Sequence, residues 1–512
     1  MLSPLLLFFI LFLLPLLFFI FIFTKTPNSP FTPPIKLPKS YPLVGSFFAV
    51  FVNRRRRLQW LSDVLQVSAA ATFTLHRPFG QRQIFTANPA VVQHILKTHF
   101  HIYQKGDSFR SVFSDFLGDG IFNADGESWK FQRQVSSHEF TTKSLRKFVE
   151  TVVDAELSDR LVPVLYTAAA DCSVLDFQDV LQRFAFDNVC KIAFGYDPAY
   201  LSPSFGQSKF AKAFEDAVRI SSLRFQSLIP FVWKLKKFLD IGSEKRLRIA
   251  IAEVRGYANN IINDKKTELK TNSSIPSVDL LSRFLTSGHS DHNFITDIII
   301  SFILAGQDTT SAALTWFFWL LAKYPQVEIR ILEEISQKTE DLCGYDEVKD
   351  LTYTHAALCE SMRLYPPVPV DGKQAAADDV LPDGTAVRKG ERVAYHPYAM
   401  GRMEAIWGKD WAKFRPERWL ESDSGDEATA VKWRFVGRDN YTYPVFQAGP
   451  RICLGKEMAF LQMKRMVAGI LKRFRVVLAA AEEGVEPRFV QYMTAKMEGG
   501  FPVRIEVRED SE

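Results

Sequence analysis

Residues 446–455 read FQAGPRICLG: one cysteine, Cys453, lies between two glycines and two residues after Arg451. Gly449 and Gly455 permit backbone conformations, and a close approach to a flat group, that a side chain would block, and Pro450 stiffens the loop between them. A thiolate is the form of cysteine that binds metal. The chain has five cysteines in 512 residues, Cys172, Cys190, Cys343, Cys359 and Cys453, and no CxxC pair. Neither a zinc site nor a disulfide framework is indicated, and a reducing compartment is expected. A buried free cysteine is the plain alternative. The pattern F-x-x-G-x-R-x-C-x-G constrains too much backbone for a residue that only fills space, so the loop reads as a mount for a single thiolate ligand.

Residues 2–23, LSPLLLFFILFLLPLLFFIFIF, carry no charge. As a helix rising about 1.5 Å per residue they span roughly 33 Å, enough for a bilayer core. A cleaved signal peptide has a shorter apolar part and small residues at its cut site, so one N-terminal transmembrane helix is expected. Lys25, Lys36, Lys39 and the run Arg54–Arg57 follow it, which places the body in the cytosol. The arginine run suits lipid headgroups or a solvated helix face. Residues 24–44 hold prolines at 27, 30, 33, 34, 38 and 42 and predict a stiff extended hinge. No linker divides residues 45–512, which read as one large domain. Asn272-Ser273-Ser274 fits the glycosylation pattern, but on this topology it never meets the modifying enzyme. A net charge of +5 without a basic, aromatic-interleaved stripe does not suggest a nucleic-acid binder.

Strands are expected at 71–77 and 81–87 around a turn at Pro78–Gly80, and again near 385–396 and 499–507. From 88 to 365 the periodicity is mainly helical. The longest helix, 294–322, is apolar almost all round and should be buried. Gln307, Asp308, Thr309 and Thr310 near its middle would be costly in lipid, which disfavours a second span. Residues 271–277 and 421–430 read as surface loops. Many of the 44 phenylalanines lie in the body, most as core and some free to line an apolar cavity.

FQAGPRICLG resembles the haem-binding signature of the cytochrome P450 superfamily, and four other motifs follow in that family's order. The resemblance implies the cytochrome P450 fold, mainly α with a small β region. It implies haem as cofactor, with Cys453 as the axial thiolate to iron, as is known for this family. Phe446, Gly449 and Gly455 then shape the loop under the haem, and Arg451 meets a propionate. Residues 305–310, AGQDTT, resemble the oxygen-activation motif: Ala305 and Gly306 leave room beside the haem, and Asp308 and Thr309 relay protons. In the plant branch the Gln307 position is often basic, and this chain departs from that. Residues 360–363, ESMR, with 414–419, FRPERW, resemble the structural trio in which Glu360, Arg363 and Arg418 hold the cysteine loop; Trp419 stands where phenylalanine is usual. In 129–133, WKFQR, Trp129 and Arg133 lie at i and i+4 and reach one propionate. Lys373 and His396 are further propionate candidates. The proline-rich segment resembles the hinge of membrane-bound members.

The implied activity is NADPH- and O2-dependent haem-thiolate monooxygenation at the endoplasmic reticulum membrane, with the catalytic domain cytosolic. No convincing dinucleotide-binding fingerprint is present, so the implied electron donor is an NADPH-cytochrome P450 reductase. Arg451, Lys456, Lys464, Arg465, Lys472 and Arg473 form a candidate docking patch; a solvated helix face is the alternative for the last four. The stretches 120–140, 287–306 and 441–465 look like the plant fatty-acid ω-hydroxylase branch. This implies hydroxylation of fatty acids at the terminal carbon or, alternatively, of jasmonoyl-amino-acid conjugates such as jasmonoyl-isoleucine. Residues 103–122, 302–305, 368–372 and 493–500 are expected to line the substrate channel, with Lys105 or Arg110 on the carboxylate. The rivals are a haem-thiolate isomerase or dehydratase, a haem carrier or gas sensor, and a cofactor-free scaffold. Asp308 and Thr309 argue against the first two.

Overall fold

The computed structural model describes residues 36–202, 208–271, 279–287, 291–338, 344–422, 433–479 and 486–508. The expected anchor at 2–23, most of the hinge, Asn272 and Cys343 lie outside the described residues. Most of the body is helical. Its main helices are α1 (Arg57–Val67), α2 (Gly106–Leu117), α3 (Gly126–Ser137), α4 (Phe177–Phe194), α5 (Lys209–Gln226), α6 (Pro230–Phe238), α7 (Gly242–Thr271), α8 (His292–Lys323), α9 (Thr352–Leu364) and α10 (Lys456–Arg473).

Helix α8 is the axle of the body. Asp291 starts it, its side chain accepting from the Asn293 N–H, as a short acidic residue does at an N-cap. The helix is long and apolar enough to cross a membrane, but 78% of its most apolar stretch is buried in the body. Helices α2, α4, α7 and α9 pack around it. Its N-terminal half, Ile295 to Leu304, joins a core shared with α2, α4, α5 and α7. Its C-terminal half, from Ala313, joins a second core with α9 and α10. The break between the cores falls on residues 305–310, so the polar residues in this helix sit where packing is interrupted.

Gly306 has a second reason besides the one expected. A Cβ there would lie 2.5 Å from Val189 Cγ2. The close crossing of α4 over α8 therefore also requires a glycine here.

Strands β1 (Thr72–His76), β2 (Arg82–Thr86), β3 (Tyr103–Gln104), β4 (Asp371–Ala375) and β5 (Arg392–Tyr395) form one sheet in the order β1-β2-β5-β4-β3. The pairing of β2 with β5 is parallel and sets Gln83 opposite Arg392; β4 runs antiparallel to β5 and sets Asp371 opposite Tyr395. Only Ala386–Val387 and Arg392–Tyr395 are strands within the stretch expected at 385–396. Near the C-terminus β6 (Phe474–Leu478) and β9 (Pro502–Val507) form a sheet with the short strand Leu175–Asp176, and β7 (Phe489–Gln491) pairs with β8 (Ala495–Met497).

The arginine run divides. Arg54, Arg55 and Arg56 are exposed, whereas Arg57 opens α1 and its guanidinium turns inward to the Gln226 carbonyl at 3.1 Å. Helix α6 has no buried residue and presents Phe231, Val232, Leu235 and Phe238 to solvent.

Candidate active site

The cysteine loop is set by backbone. Gly449 has φ +64°, and a Cβ there would meet the Leu96 carbonyl oxygen at 1.9 Å, so no side chain fits. The Phe446 carbonyl accepts from the Cys453 N–H at 2.9 Å and folds the loop back on itself. Gly455 departs from expectation: its φ of −85° is ordinary. Its open side faces Phe140 and Cys453 Sγ, 3.5 and 4.0 Å from a would-be Cβ. Burial pushes the Cys453 thiol up, while the Gly455 N–H, Arg133 and Lys456 pull it down.

Cys453 opens onto an internal cavity of about 430 Å³. Ala305, Gly306 and Thr309 from α8 line it too. Its walls are largely aromatic and aliphatic, among them Phe109, Phe113, Phe122, Phe225, Phe302 and Met493. Thr309 Oγ1 donates to the Ala305 carbonyl at 2.7 Å. Asp308 is not in the wall. It is buried at 3% exposure, and its Oδ2 accepts from Thr494 Oγ1 at 3.3 Å. Burial raises its carboxyl, opposed by Lys496 and Thr494. Thr494 does line the cavity.

One end of the cavity gathers cations. The Arg451 and Arg133 guanidiniums lie 4.5 and 5.9 Å from the Trp129 ring. Arg451 also donates to Asp125 Oδ1 at 2.7 Å, and its buried Nε has no partner among the described residues. Lys105 and Lys373 share Asp371, each at 3.3 Å. Burial pushes Lys373 down to about 7 against the pull of Asp371. Four cations, Lys105, Arg133, Lys373 and Arg451, thus stand against the two carboxylates Asp125 and Asp371. A flat apolar group with two carboxylates at one edge suits such a pocket, and a thiolate suits its iron. These residues fit haem.

Other expected residues fall elsewhere. His396 is wholly buried and outside the cavity wall; its Nδ1 accepts from the Ala399 N–H at 3.0 Å and caps a short helix. Burial pushes this imidazole down to about 3. Arg110 is exposed, pairs with Asp119 at 3.5 Å and does not line the cavity. Lys464 and Arg465 are buried, the first on the Lys349 carbonyl at 2.6 Å and the second on Asp154. Neither can form a docking patch, and Arg451 is engaged with Asp125 in the cavity wall, so Lys456, Lys472 and Arg473 remain of that cluster.

Glu360 lies between two arginines. Its carboxylate accepts from Arg363 Nε and Nη2, both at 2.8 Å, and from Arg418 Nε at 3.0 Å. Trp419 Nε1 and the Arg415 N–H add bonds at 3.0 and 3.1 Å. Tyr443 then ties the segment leading to the cysteine loop back to α9, donating to the Cys359 carbonyl at 2.9 Å. Trp419 therefore adds a donor that phenylalanine lacks.

Among the cavity residues that sequence reasoning missed are two cations, Arg57 and Arg392. Arg57 was hidden in a run that reads as surface, and Arg392 in a short strand with no motif around it.

A family model described as Cytochrome P450 matches residues 35–495. The chain is 63% identical over 507 residues to cytochrome P450 94A2 of Vicia sativa, covering 98% of both chains. It is 61% identical over 475 residues to cytochrome P450 94A1 of Vicia sativa, covering 93% of this chain and 91% of that one. Cytochrome P450 94B1 of Arabidopsis thaliana is 47% identical over 505 residues, with 98% and 97% covered.

Proposed function

Because the chain belongs to the cytochrome P450 family of haem-thiolate monooxygenases, we propose that it hydroxylates fatty acids at the terminal, ω carbon. The observation that carries this reading is the largely apolar cavity holding Cys453 and Thr309 in one wall and phenylalanines in the rest. Such a space accepts an alkyl chain and offers little to a polar body.

Bound haem supplies oxygen activation, favoured by electron density from the Cys453 thiolate. The chain's own residues do the rest. Trp129, Arg133, Arg451 and Lys373 hold the propionate edge. Asp308, whose carboxyl burial raises, passes protons inward through Thr494, which lines the cavity, and Thr309 in the same wall. Primary C–H bonds are stronger than the neighbouring secondary ones, so reactivity alone favours the inner carbon. Terminal attack therefore requires that Phe302, Ala305, Val370 and Met493 admit the methyl end first.

Electrons come from an NADPH-cytochrome P450 reductase docking near Lys456, Lys472 and Arg473. The apolar face of α6 and the exposed arginines 54–56 lie against the endoplasmic reticulum membrane.

The test is incubation of membranes bearing the protein and a reductase with NADPH and fatty acids of graded length. Jasmonoyl-isoleucine runs in parallel, and products are located by mass spectrometry. Terminal hydroxyls on fatty acids support the reading. Turnover of jasmonoyl-isoleucine alone overturns it in favour of the jasmonoyl conjugates.

A further inference from the structure

We propose that Arg57 and Arg392, backed by Arg77, form the site that holds the substrate's carboxylate. The inference rests on the reading of an alkyl-chain substrate. It replaces the expected roles of Lys105, already shared with Asp371, and of Arg110, which lies outside.

Three arginines from distant segments converge on one turn. Arg57 opens α1, Arg77 follows β1, and Arg392 begins β5. Arg57 Nη1 donates to the Gln226 carbonyl at 3.1 Å, and Arg77 Nη2 donates to the adjacent Ser227 carbonyl at 2.5 Å. The Arg392 guanidinium lies 4.1 Å from the centre of the Phe225 ring. Phe225, Gln226, Arg57 and Arg392 all line the cavity that holds Cys453. These contacts order the side chains but neutralise nothing.

Among the described residues, no carboxylate pairs with any of the three. Asp371 is the acidic group that acts on Arg392 among the described residues, and it is already held by Lys105 and Lys373. The arginines also repel one another. Burial, then Arg77, pushes Arg57 down to about 10; burial, then Arg77 and Arg57, pushes Arg392 down to about 9. A protein carries enclosed cations without a counter-ion at a cost, and an anionic ligand removes it. Arginine suits this role because its planar fork meets a carboxylate with two bonds. An apolar cavity with a thiolate in its wall and two unpaired guanidiniums elsewhere in that wall therefore specifies an amphiphile: an alkyl tail with a carboxylate head. Jasmonoyl-isoleucine also carries a carboxylate, so the site does not choose between the two substrate classes.

The test uses the full chain in membranes, titrated with lauric acid and with dodecan-1-ol, which share a tail and differ in the head. Binding is read from the change in the haem spectrum. The wild type should bind laurate more tightly than dodecanol. In Arg57→Gln and Arg392→Gln the laurate Kd should rise about tenfold or more, the loss of a charge-assisted pair, while that of dodecanol moves less than about twofold. Arg392→Lys should recover part of the laurate affinity, which a merely misfolded variant would not. Equal weakening for both ligands, or an unchanged laurate Kd, overturns the site. The failures are separable: laurate held through the arginines but not hydroxylated at its end sinks the proposed function and leaves the site standing, whereas terminal hydroxylation indifferent to both substitutions does the reverse.

Discussion

Glu360→Ala strikes a carboxylate that accepts five hydrogen bonds behind the cysteine loop. Glu360 is fully buried and accepts from Arg363 twice, Arg418, Trp419 and the Arg415 backbone. Charge-assisted bonds contribute about 1.5–3 kcal/mol each, and adding five of them would overstate the loss. Arg418 keeps Asp410 at 2.8 Å as a second counter-ion. Arg363 keeps only carbonyls, those of Gly401 and Lys413. The substitution thus leaves one enclosed guanidinium without a counter-charge, which costs about 3–5 kcal/mol. Arg418→Ala should cost less, because Glu360 retains Arg363 and Asp410 retains Arg415 at 2.8 Å. The assay is urea unfolding of the purified protein, followed by haem absorbance and tryptophan fluorescence, with haem content after purification as a second readout. Glu360→Gln should behave like the alanine variant, since the charge is lost although the shape remains. The reasoning is refuted if Glu360→Ala costs less than about 1 kcal/mol or if Arg418→Ala is the more damaging change.

Cys453→Ser should yield protein without the thiolate-type absorbance of its reduced carbon monoxide complex; an unaltered spectrum refutes the ligand assignment. Gly306→Ala forces a methyl against Val189, 2.5 Å from Cγ2, and should destabilise by about 1–3 kcal/mol. Adding Val189→Ala should restore much of that in a melting experiment. His396 has a folded value of about 3, below its unfolded value of about 6.5, so the unfolded chain binds the extra proton between those limits. This contribution to stability is therefore present above about pH 6.5 and lost towards pH 3, with a slope of up to about 1.4 kcal/mol per pH unit. His396→Asn keeps a capping acceptor and should flatten the stability profile below pH 6.5 in denaturant titrations; an unchanged acid slope counts against it.

Two kinds of residue separate what was legible in sequence from what was not. The cysteine loop, the Glu360–Arg363 pair and Trp129–Arg133 are local. Their motif residues lie within one turn of helix or one tight loop, although Gly449 also owes its lack of a side chain to the distant Leu96 carbonyl. The long helix α8 was equally legible, because an all-round apolar surface has nowhere to go but the core. Gly306 shows the limit: its need for no side chain comes from Val189 on another helix, which no local pattern encodes. Arg57 shows it more sharply. Its neighbours Arg54, Arg55 and Arg56 face solvent, and only the packing of α1 against the turn after α5 points the fourth arginine inward. Lys464 and Arg465 failed in the opposite direction, buried by the contacts of α10. Sequence alone therefore pointed to the cysteine loop, through its resemblance to a known family, and to the helical frame, through short-range periodicity. Which charges face the cavity was decided only in three dimensions, because that depends on which distant segments meet and which of them bring a counter-ion.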